Sequence, residues 1–313
     1  MAFKPNYLCD LHGHTVQSDG NDTYKQFIDT AAEQGMKVVA ITDHDVIPQE
    51  YIEIDNKKIS TKEYGLQKNV HVLPGVEYSC DTDVDDVHIV GLGCDWNYEE
   101  FAVEEENMKK SKVNGYKKLT EVLTANGTNI SWDEILYNNG NPRDPESVQR
   151  KHIFEAIALK GYTPSWQEAK IMVRDNPVYN VKREKIDPLR AIEIIHKAGG
   201  RAILAHPHLI DEVVEKPGKK ILRDDYIQNL INNGIDGIEA AYPYSKTSYK
   251  GNMKDEEVEA VVRNKYSGIV KIISGGSDYH NDAKKGVKNA RMIGEKGITW
   301  EYFQSNQYLS SLI

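Results

Sequence analysis

The feature that most limits what this 313-residue chain can fold into is a series of seven short apolar runs, over residues 6–11, 36–42, 70–76, 86–92, 201–205, 235–240 and 269–274. Each is shorter than a stable helix and is bounded by polar or turn-forming residues, so each reads as a buried strand. Helical patterns lie between several of them: 24–34 behind a Thr23 N-cap, 188–198 before Gly199-Gly200, and 223–233 before Gly234. Alternation of this kind predicts parallel strands in an α/β fold.

The residues that follow the runs are chemically alike. The first run opens into Asp10-Leu11-His12-Gly13-His14 with Asp19 close behind, the second into Asp43-His44-Asp45, and the third into Glu77. The run at 201–205 ends in His206-Pro207-His208, and the last passes through Ser274-Gly275-Gly276-Ser277 into Asp278-Tyr279-His280. Carboxyl ends of strands are where α/β folds assemble their sites. Alternate side chains of an extended segment point the same way, so His12 and His14 can grip one cation. An isolated histidine is better read as a loop residue bonded to a carbonyl; recurrence after separate strands reverses that reading. Imidazoles and carboxylates without thiolates suit Zn²⁺, Mn²⁺ or Fe²⁺. Glu77 is the candidate bridge, because a carboxylate can hold two cations and an imidazole cannot.

The alternation breaks over residues 97–187, where the pattern is helical throughout: 101–126, 132–137, 152–160 and 166–174. An insertion of this length between a fourth and a fifth strand is expected above the ligand-bearing strand ends, as a cap or substrate-specificity subdomain. Residues 138–145 read as a flexible loop.

An apolar fraction of 39% supports an ordinary core. No apolar run reaches the ~20 residues that span a bilayer, and the first six residues lack a signal-peptide core, so a cytoplasmic protein without a membrane partner is expected. Cys9, Cys80 and Cys94 have no Cys-x-x-Cys spacing, which argues against a disulfide framework or a zinc ribbon. A net charge of −9 disfavours a broad nucleic-acid surface, leaving small phosphorylated substrates as the better fit, with short RNA as the alternative partner. Glu193 and His196 have the i, i+3 spacing of di-iron bundles but no matching partner motif, and Gly91-Leu92-Gly93 is an incomplete dinucleotide fingerprint.

Taken in order, His12-x-His14 with Asp19, Thr42-Asp43-His44-Asp45, Pro74-Gly75-Val76-Glu77, His88-Ile89-Val90-Gly91-Leu92, Ala205-His206-Pro207 and Gly276-Ser277-Asp278-Tyr279-His280 resemble the successive motifs of the PHP (polymerase and histidinol phosphatase) family of metal-dependent phosphoesterases, nearest to its nucleoside-bisphosphate and nucleotide phosphatase branch. The resemblance implies a distorted seven-stranded β/α barrel over 1–96 and 188–313, with 97–187 as the helical insertion. It implies two or three divalent transition-metal ions, Mn, Zn or Fe, with His12, His14, Asp19, His44, Glu77, His88, His206, Asp278 and His280 as ligands. Glu77 would join a metal held by His12, His14 and Asp278 to one that takes His88, while Asp19, His44, His206 and His280 surround a third position. Asp10, Asp43 and Asp45 are expected to orient ligand histidines by accepting their other N–H. His208 has two readings, cavity or surface, and His71 and His196 are read as structural.

The implied reaction is hydrolysis of a small phosphate ester, a nucleotide or nucleoside 3′,5′-bisphosphate, by a metal-bound hydroxide held among Glu77, Asp19, His206 and His280. Arg150 and His152 resemble the Arg and His element that binds substrate phosphate where a helix opens, a favourable place for an anion. Related enzymes carry arginines in the long insert helix, whereas this chain has Lys109, Lys110, Lys112, Lys117 and Lys118, which cannot make bidentate contacts. The alternatives are a 5′-to-3′ exonuclease on short RNA, a histidinol-phosphate or cyclic sugar phosphate hydrolase, and a polymerase-accessory metal-binding domain without catalysis.

Overall fold

A computed structural model describes residues 4–46, 48–84, 87–138 and 141–313. Outside the described residues lie Met1, Ala2 and Phe3 of the amino-terminal segment, Asp86 of the expected fourth strand, and Asn139 and Gly140 of the expected 138–145 loop.

Seven strands form one sheet in sequence order: β1 (Cys9–Asp10), β2 (Val38–Ile41), β3 (His71–Ser79), β4 (His88–Leu92), β5 (Arg201–Leu204), β6 (Gly237–Ala241) and β7 (Ile272–Gly275). The sheet is nearly closed. Past its last pairing the Leu11 N–H donates to the Gly275 carbonyl at 3.1 Å, and a parallel bridge joins Gly13 to Tyr279, so β7 meets β1. Helices α1 (Tyr24–Glu33), α2 (Thr61–Gln67), α3 (Glu99–Ala125), α4 (Trp132–Leu136), α5 (Arg150–Leu159), α6 (Trp166–Asp175), α7 (Pro188–Lys197), α8 (Arg223–Asn232), α9 (Asp255–Tyr266), α10 (Trp300–Ser305) and α11 (Gln307–Ser310) complete the regular structure. Thr23 caps α1 with a full capping box, as its position before the apolar pattern predicts.

Not every strand is parallel. β4 runs antiparallel to both β3 and β5, while the remaining pairs are parallel. The reason is the length of the link: eight residues from Cys80 to Val87 separate β3 from β4, and a parallel crossover needs roughly a dozen or more. The reversal brings the amino end of β4, where His88 stands, beside Ser79 at the carboxyl end of β3.

Successive strand residues face opposite ways, and the buried sets divide accordingly. Cys9, Leu11, Val38, Ala40, Leu73, Val90, Leu92, Ile203 and Ile272 pack on one face with Phe303 and Leu309 of α10 and α11. On the outer side, Val39 and Ile41 pack with Phe27 and Ile28 of α1, while Ile89, Leu204 and Ile238 pack with Ile194 and Ile195 of α7. Burying an aliphatic side chain contributes about 1.5–3 kcal/mol, so these two layers hold the strand ends in place.

The chain divides into two compact units, one reaching to Val103 and resuming at Ile186, the other Glu104–Lys185. The second has its own core, in which Leu119 and Leu123 of α3 meet Ile153 and Ile157 of α5 and Ala169 and Val173 of α6.

Candidate metal centre

Glu77 lies inside β3 rather than after it, because pairing with antiparallel β4 carries the strand on to Ser79. The carboxylate is buried and five imidazoles surround it. Its Oε2 is 3.2 Å from each of His12 Nε2, His14 Nε2 and His44 Nδ1, and its Oε1 is 2.8 Å from His88 Nδ1 and 3.0 Å from His206 Nε2. Asp278 Oδ1 adds a second carboxylate 3.1 Å from His14 Nε2 and 3.7 Å from His12 Nε2. Asp19 approaches from its loop, 2.9 Å from His280 Nε2 and 3.8 Å from His14 Nδ1.

Three overlapping groups result, in each of which the donor atoms lie within 4.8 Å of one another: His12, His14, Glu77 and Asp278; His44, Glu77 and His88; His14, Asp19, His44 and His280. His206 stands with Glu77 and His88, its ring 5.0 Å from that of His88, rather than around Asp19 as the resemblance implied. His14 takes the place beside Asp19 instead.

Orphaned nitrogens are the test of whether these residues fit a cation. His12 Nε2, His14 Nε2 and His44 Nδ1 are buried at 3.2 Å from one oxygen, yet none makes a hydrogen bond. Unpaired buried polar atoms are costly in a native protein, and lone pairs converging on one carboxylate are satisfied by cations. The electrostatics agree. Burial opposes the charged form of His12, yet Glu77, Glu239 and Asp278 outweigh it and hold its pKa well above the usual imidazole value. Burial opposes charge on Glu77 as well, but His44, His12 and His88 hold it well below the carboxylate range. At His44 burial wins and, with His14 and His88 nearby, pushes it down to about 4. The cluster fits divalent metal binding.

Neighbouring groups set ring orientation. Glu239, buried on β6, accepts from His12 Nδ1 at 3.1 Å with one oxygen and from the His206 backbone N–H at 2.8 Å with the other. This leaves His12 Nε2 as the nitrogen aimed at the cluster. His280 Nδ1 is held 2.8 Å from the Asp278 carbonyl, which turns its Nε2 to Asp19. Tyr242 Oη donates to Asp278 Oδ2 at 2.7 Å, and Arg291 pairs with the same oxygen, leaving Oδ1 to the histidines. His206 (φ 27°) and Asp278 (φ 51°) occupy a backbone region that L residues seldom adopt, a local cost of about 1–3 kcal/mol each that packing must sustain. Gly276 is required by close approach: a Cβ there would lie 2.3 Å from His12 Cβ.

The three aspartates expected to orient ligand histidines hold backbone N–H and hydroxyl groups. Asp43 accepts from the Thr15 N–H and hydroxyl and from the Ser18 hydroxyl, Asp45 from the Ser79 N–H, and Asp10 from the Ser277 N–H and hydroxyl and the Gly294 N–H. Glu239 does the work assigned to them, and its signal was a lone acid in a fully apolar strand, which must be paired to be buried. His208 is buried against Tyr244 rather than on the surface, and it belongs to none of the three groups. His71 stacks on Trp300 and His196 bonds Asp236, both away from the cluster.

Arg150 and His152 belong to the second unit. Arg150 opens α5 with its guanidinium 5.9 Å from the Phe154 ring centre, beside a cavity of about 440 Å³ that Lys170 and Arg174 also line. His152 Nδ1 accepts the Gln149 N–H at 3.0 Å and so serves as part of the helix cap. Lys109, Lys110 and Lys118 pair with Glu105, Glu106 and Glu121 of their own helix.

The PHP domain model matches residues 10–198, more than half of the chain. The chain belongs to the PHP domain family. It is a metal-dependent phosphoesterase, a hydrolase of phosphate ester bonds. Among its relatives, a phosphoribosyl 1,2-cyclic phosphate 1,2-diphosphodiesterase of Eggerthella lenta is 24% identical over 277 residues, 87% of this chain and 93% of that protein. A 5′-3′ exoribonuclease of Haemophilus influenzae is 30% identical over 199 residues, 63% and 68% of the two chains. A 3′,5′-nucleoside bisphosphate phosphatase of Chromobacterium violaceum is 27% identical over 204 residues, 64% and 67%. The crystal structure of a Bifidobacterium adolescentis protein, predicted to be a metal-dependent phosphoesterase, superposes with a TM-score of 0.64 at 21% identity, covering 97% of this PHP chain and 96% of that one. Among the described residues no helix is long and apolar enough to cross a membrane.

Proposed function

We propose that this PHP phosphoesterase hydrolyses a small phosphate ester, a nucleotide or nucleoside 3′,5′-bisphosphate, at two or three divalent cations held by His12, His14, Asp19, His44, Glu77, His88, His206, Asp278 and His280. The observation that carries the reading is the set of orphaned imidazole nitrogens converging on Glu77 at the floor of an open cavity of about 290 Å³. Bound cations would supply Lewis acidity and an activated water. The residues of the chain do the rest. Glu77 offers one oxygen to each side of the cluster, Glu239 and Asp278 hold the imidazoles to their tautomers and places, and the cavity sets the ester against them. Support for a phosphorylated ribose or nucleoside comes from the relatives: phosphoribosyl cyclic phosphate, RNA and a nucleoside bisphosphate all combine a sugar with more than one phosphate in a chain or pair. The exoribonuclease relative at 30% identity supports a second reading, cleavage of short RNA from its 5′ end.

One panel separates the readings. Protein reloaded with Mn²⁺, Zn²⁺ or Fe²⁺ is offered nucleoside 5′-monophosphates, 3′,5′-bisphosphates, histidinol phosphate, cyclic phosphodiesters and short RNA. Phosphate release from a bisphosphate with the highest kcat/KM is the expected result, and stepwise release of mononucleotides at higher kcat/KM replaces it with the nuclease. Arg150→Ala is expected to raise KM or lower kcat/KM with metal content unchanged, and kinetic constants equal to those of the parent remove Arg150 from substrate binding.

A further inference from the structure

The cavity above the cluster has two chemically different walls. One is the imidazoles and carboxylates described above. The other is made by Tyr242, Lys246, Thr247, Ser248 and Arg291, and the proposed reaction leaves Lys246 and Ser248 without a task. Arg291 is committed: it pairs with Asp278, and its Nε and Nη2 each lie 3.0 Å from Asp282 Oδ2. Lys246 is committed only in part. Its ammonium donates to Glu295 Oε2 at 2.5 Å and to the Ala290 carbonyl at 3.0 Å. An ammonium has three N–H donors, so one remains, on a residue that lines the cavity. Two residues on, the Ser248 hydroxyl is exposed to the same cavity and bonds nothing among the described residues. The segment is fixed, because the Thr247 N–H and hydroxyl both donate to the Tyr244 carbonyl, at 3.1 and 2.9 Å.

An anchored cation and a free hydroxyl on the wall facing a metal cluster are donors in want of acceptors. The scissile phosphate belongs at the cluster, so it cannot also be their partner in full. We infer that Lys246 and Ser248 receive a second phosphate group of the substrate, one joined through the sugar to the ester being cleaved. A lysine suits this role as a point charge that any phosphate oxygen can meet, without the planar match an arginine requires. The inference rests on the phosphoesterase reading of the site and adds the feature of the substrate that the far wall selects.

The test compares binding of a non-hydrolysable phosphonate analogue of adenosine 3′,5′-bisphosphate, called the bisphosphate below, with binding of orthophosphate, by calorimetry, to the metal-loaded full chain and its variants, with metal content measured on each. Lys246→Ala is expected to weaken bisphosphate binding about tenfold more than orthophosphate binding, the loss of one hydrogen bond to a charged group. Lys246→Arg, which keeps the charge, should recover most of the difference. Ser248→Ala guards against a folding defect from the unpaired Glu295, since it disturbs no bond; a selective weakening of a few fold is expected. Equal weakening of both ligands in the Lys246 and Ser248 variants overturns the inference, as does a parent protein that binds bisphosphate no better than orthophosphate. Failure of the phosphoesterase reading has a separate sign, a metal-loaded parent that binds the bisphosphate and releases no phosphate from any ester.

Discussion

A ligand histidine has two nitrogens, and what the second one touches decides how well the first can bind. At His12 that partner is Glu239, whose other oxygen holds the His206 backbone, so one buried acid fixes two members of the cluster. Replacing Glu239 by Gln keeps the shape but ends the charge and allows the amide to present N–H where an acceptor is needed. The expected outcome is metal affinity lower by about 10–100-fold with the fold intact, read by competition with a chromophoric chelator and by circular dichroism. Unchanged affinity would show that packing alone orients His12. Glu77→Gln is expected to go further and abolish turnover together with metal binding, since both of its oxygens face imidazoles. Most of the candidate ligands were legible because they stand as polar punctuation after apolar runs; His88, inside its run, was legible only through the family resemblance. Glu239, Tyr242 and Arg291 were not, since their meaning comes from which ring or carboxylate lies opposite, and only the folded chain brings Asp278 to Tyr242 across 36 residues of sequence.

Elements were legible where periodicity was strong and illegible where connection length decided. The strands at β2, β3, β5, β6 and β7 and helices α1, α7 and α8 follow from apolar pattern and caps, whereas the antiparallel course of β4 follows from a link too short to cross over. Among the hairpins that went unread are Tyr51–Ile54 with Lys57–Ser60 and Val213–Lys216 with Lys219–Leu222, because each four-residue strand turns only one or two apolar side chains inward (Ile52, Ile54 and Ile59; Val214 and Ile221), too short an alternation to carry a core signal. The turn signals were there: Asp55 and Asn56 both take positive φ, as a tight two-residue hairpin demands, and Pro217-Gly218 turns the other. At the end of the barrel away from the cluster, buried Asp236 ties elements together, accepting from His196 of α7 at 2.7 Å, from the Ala202 N–H of β5 at 3.0 Å and from Lys271 at 2.7 Å. Burial alone would raise its pKa, but these donors outweigh it and lower the group to about 2. A depressed acid contributes stability that is present above its unfolded pKa near 4 and is lost as pH falls through the folded value. Asp236→Asn should therefore cost about 2 kcal/mol at pH 7 and progressively less from about pH 4 down to pH 2. Urea unfolding of the chelator-stripped proteins at pH 7 and pH 3 measures it; a penalty independent of pH assigns the effect to packing.

Across the whole molecule, the candidate metal ligands belong to one unit only. The nine candidate ligands all come from the segments up to Val103 and from Ile186 onward, while Glu104–Lys185 has a separate core around Leu119, Leu123, Ile153 and Ile157. The histidines beside Glu77, Asp278 and Asp19 already favour their charged forms, and cations bound there would offset part of the overall charge of −9 locally rather than over the surface. A ligand that binds only the native state stabilises it by about 2.7 kcal/mol at a hundredfold excess over Kd for each site, so chelation should loosen the barrel first. Hydrogen exchange followed residue by residue before and after chelation is the measurement. Faster exchange is expected in the segments around His12–His14, in β3 and β4, and around Asp278–His280, while the amides of α5 and α6 keep their protection under native conditions. The contrast depends on the insert's core carrying its own stability. Loss of protection in α5 and α6 to the same degree as in β3 would mean that the two units unfold as one, and that the cations stabilise the chain as a whole.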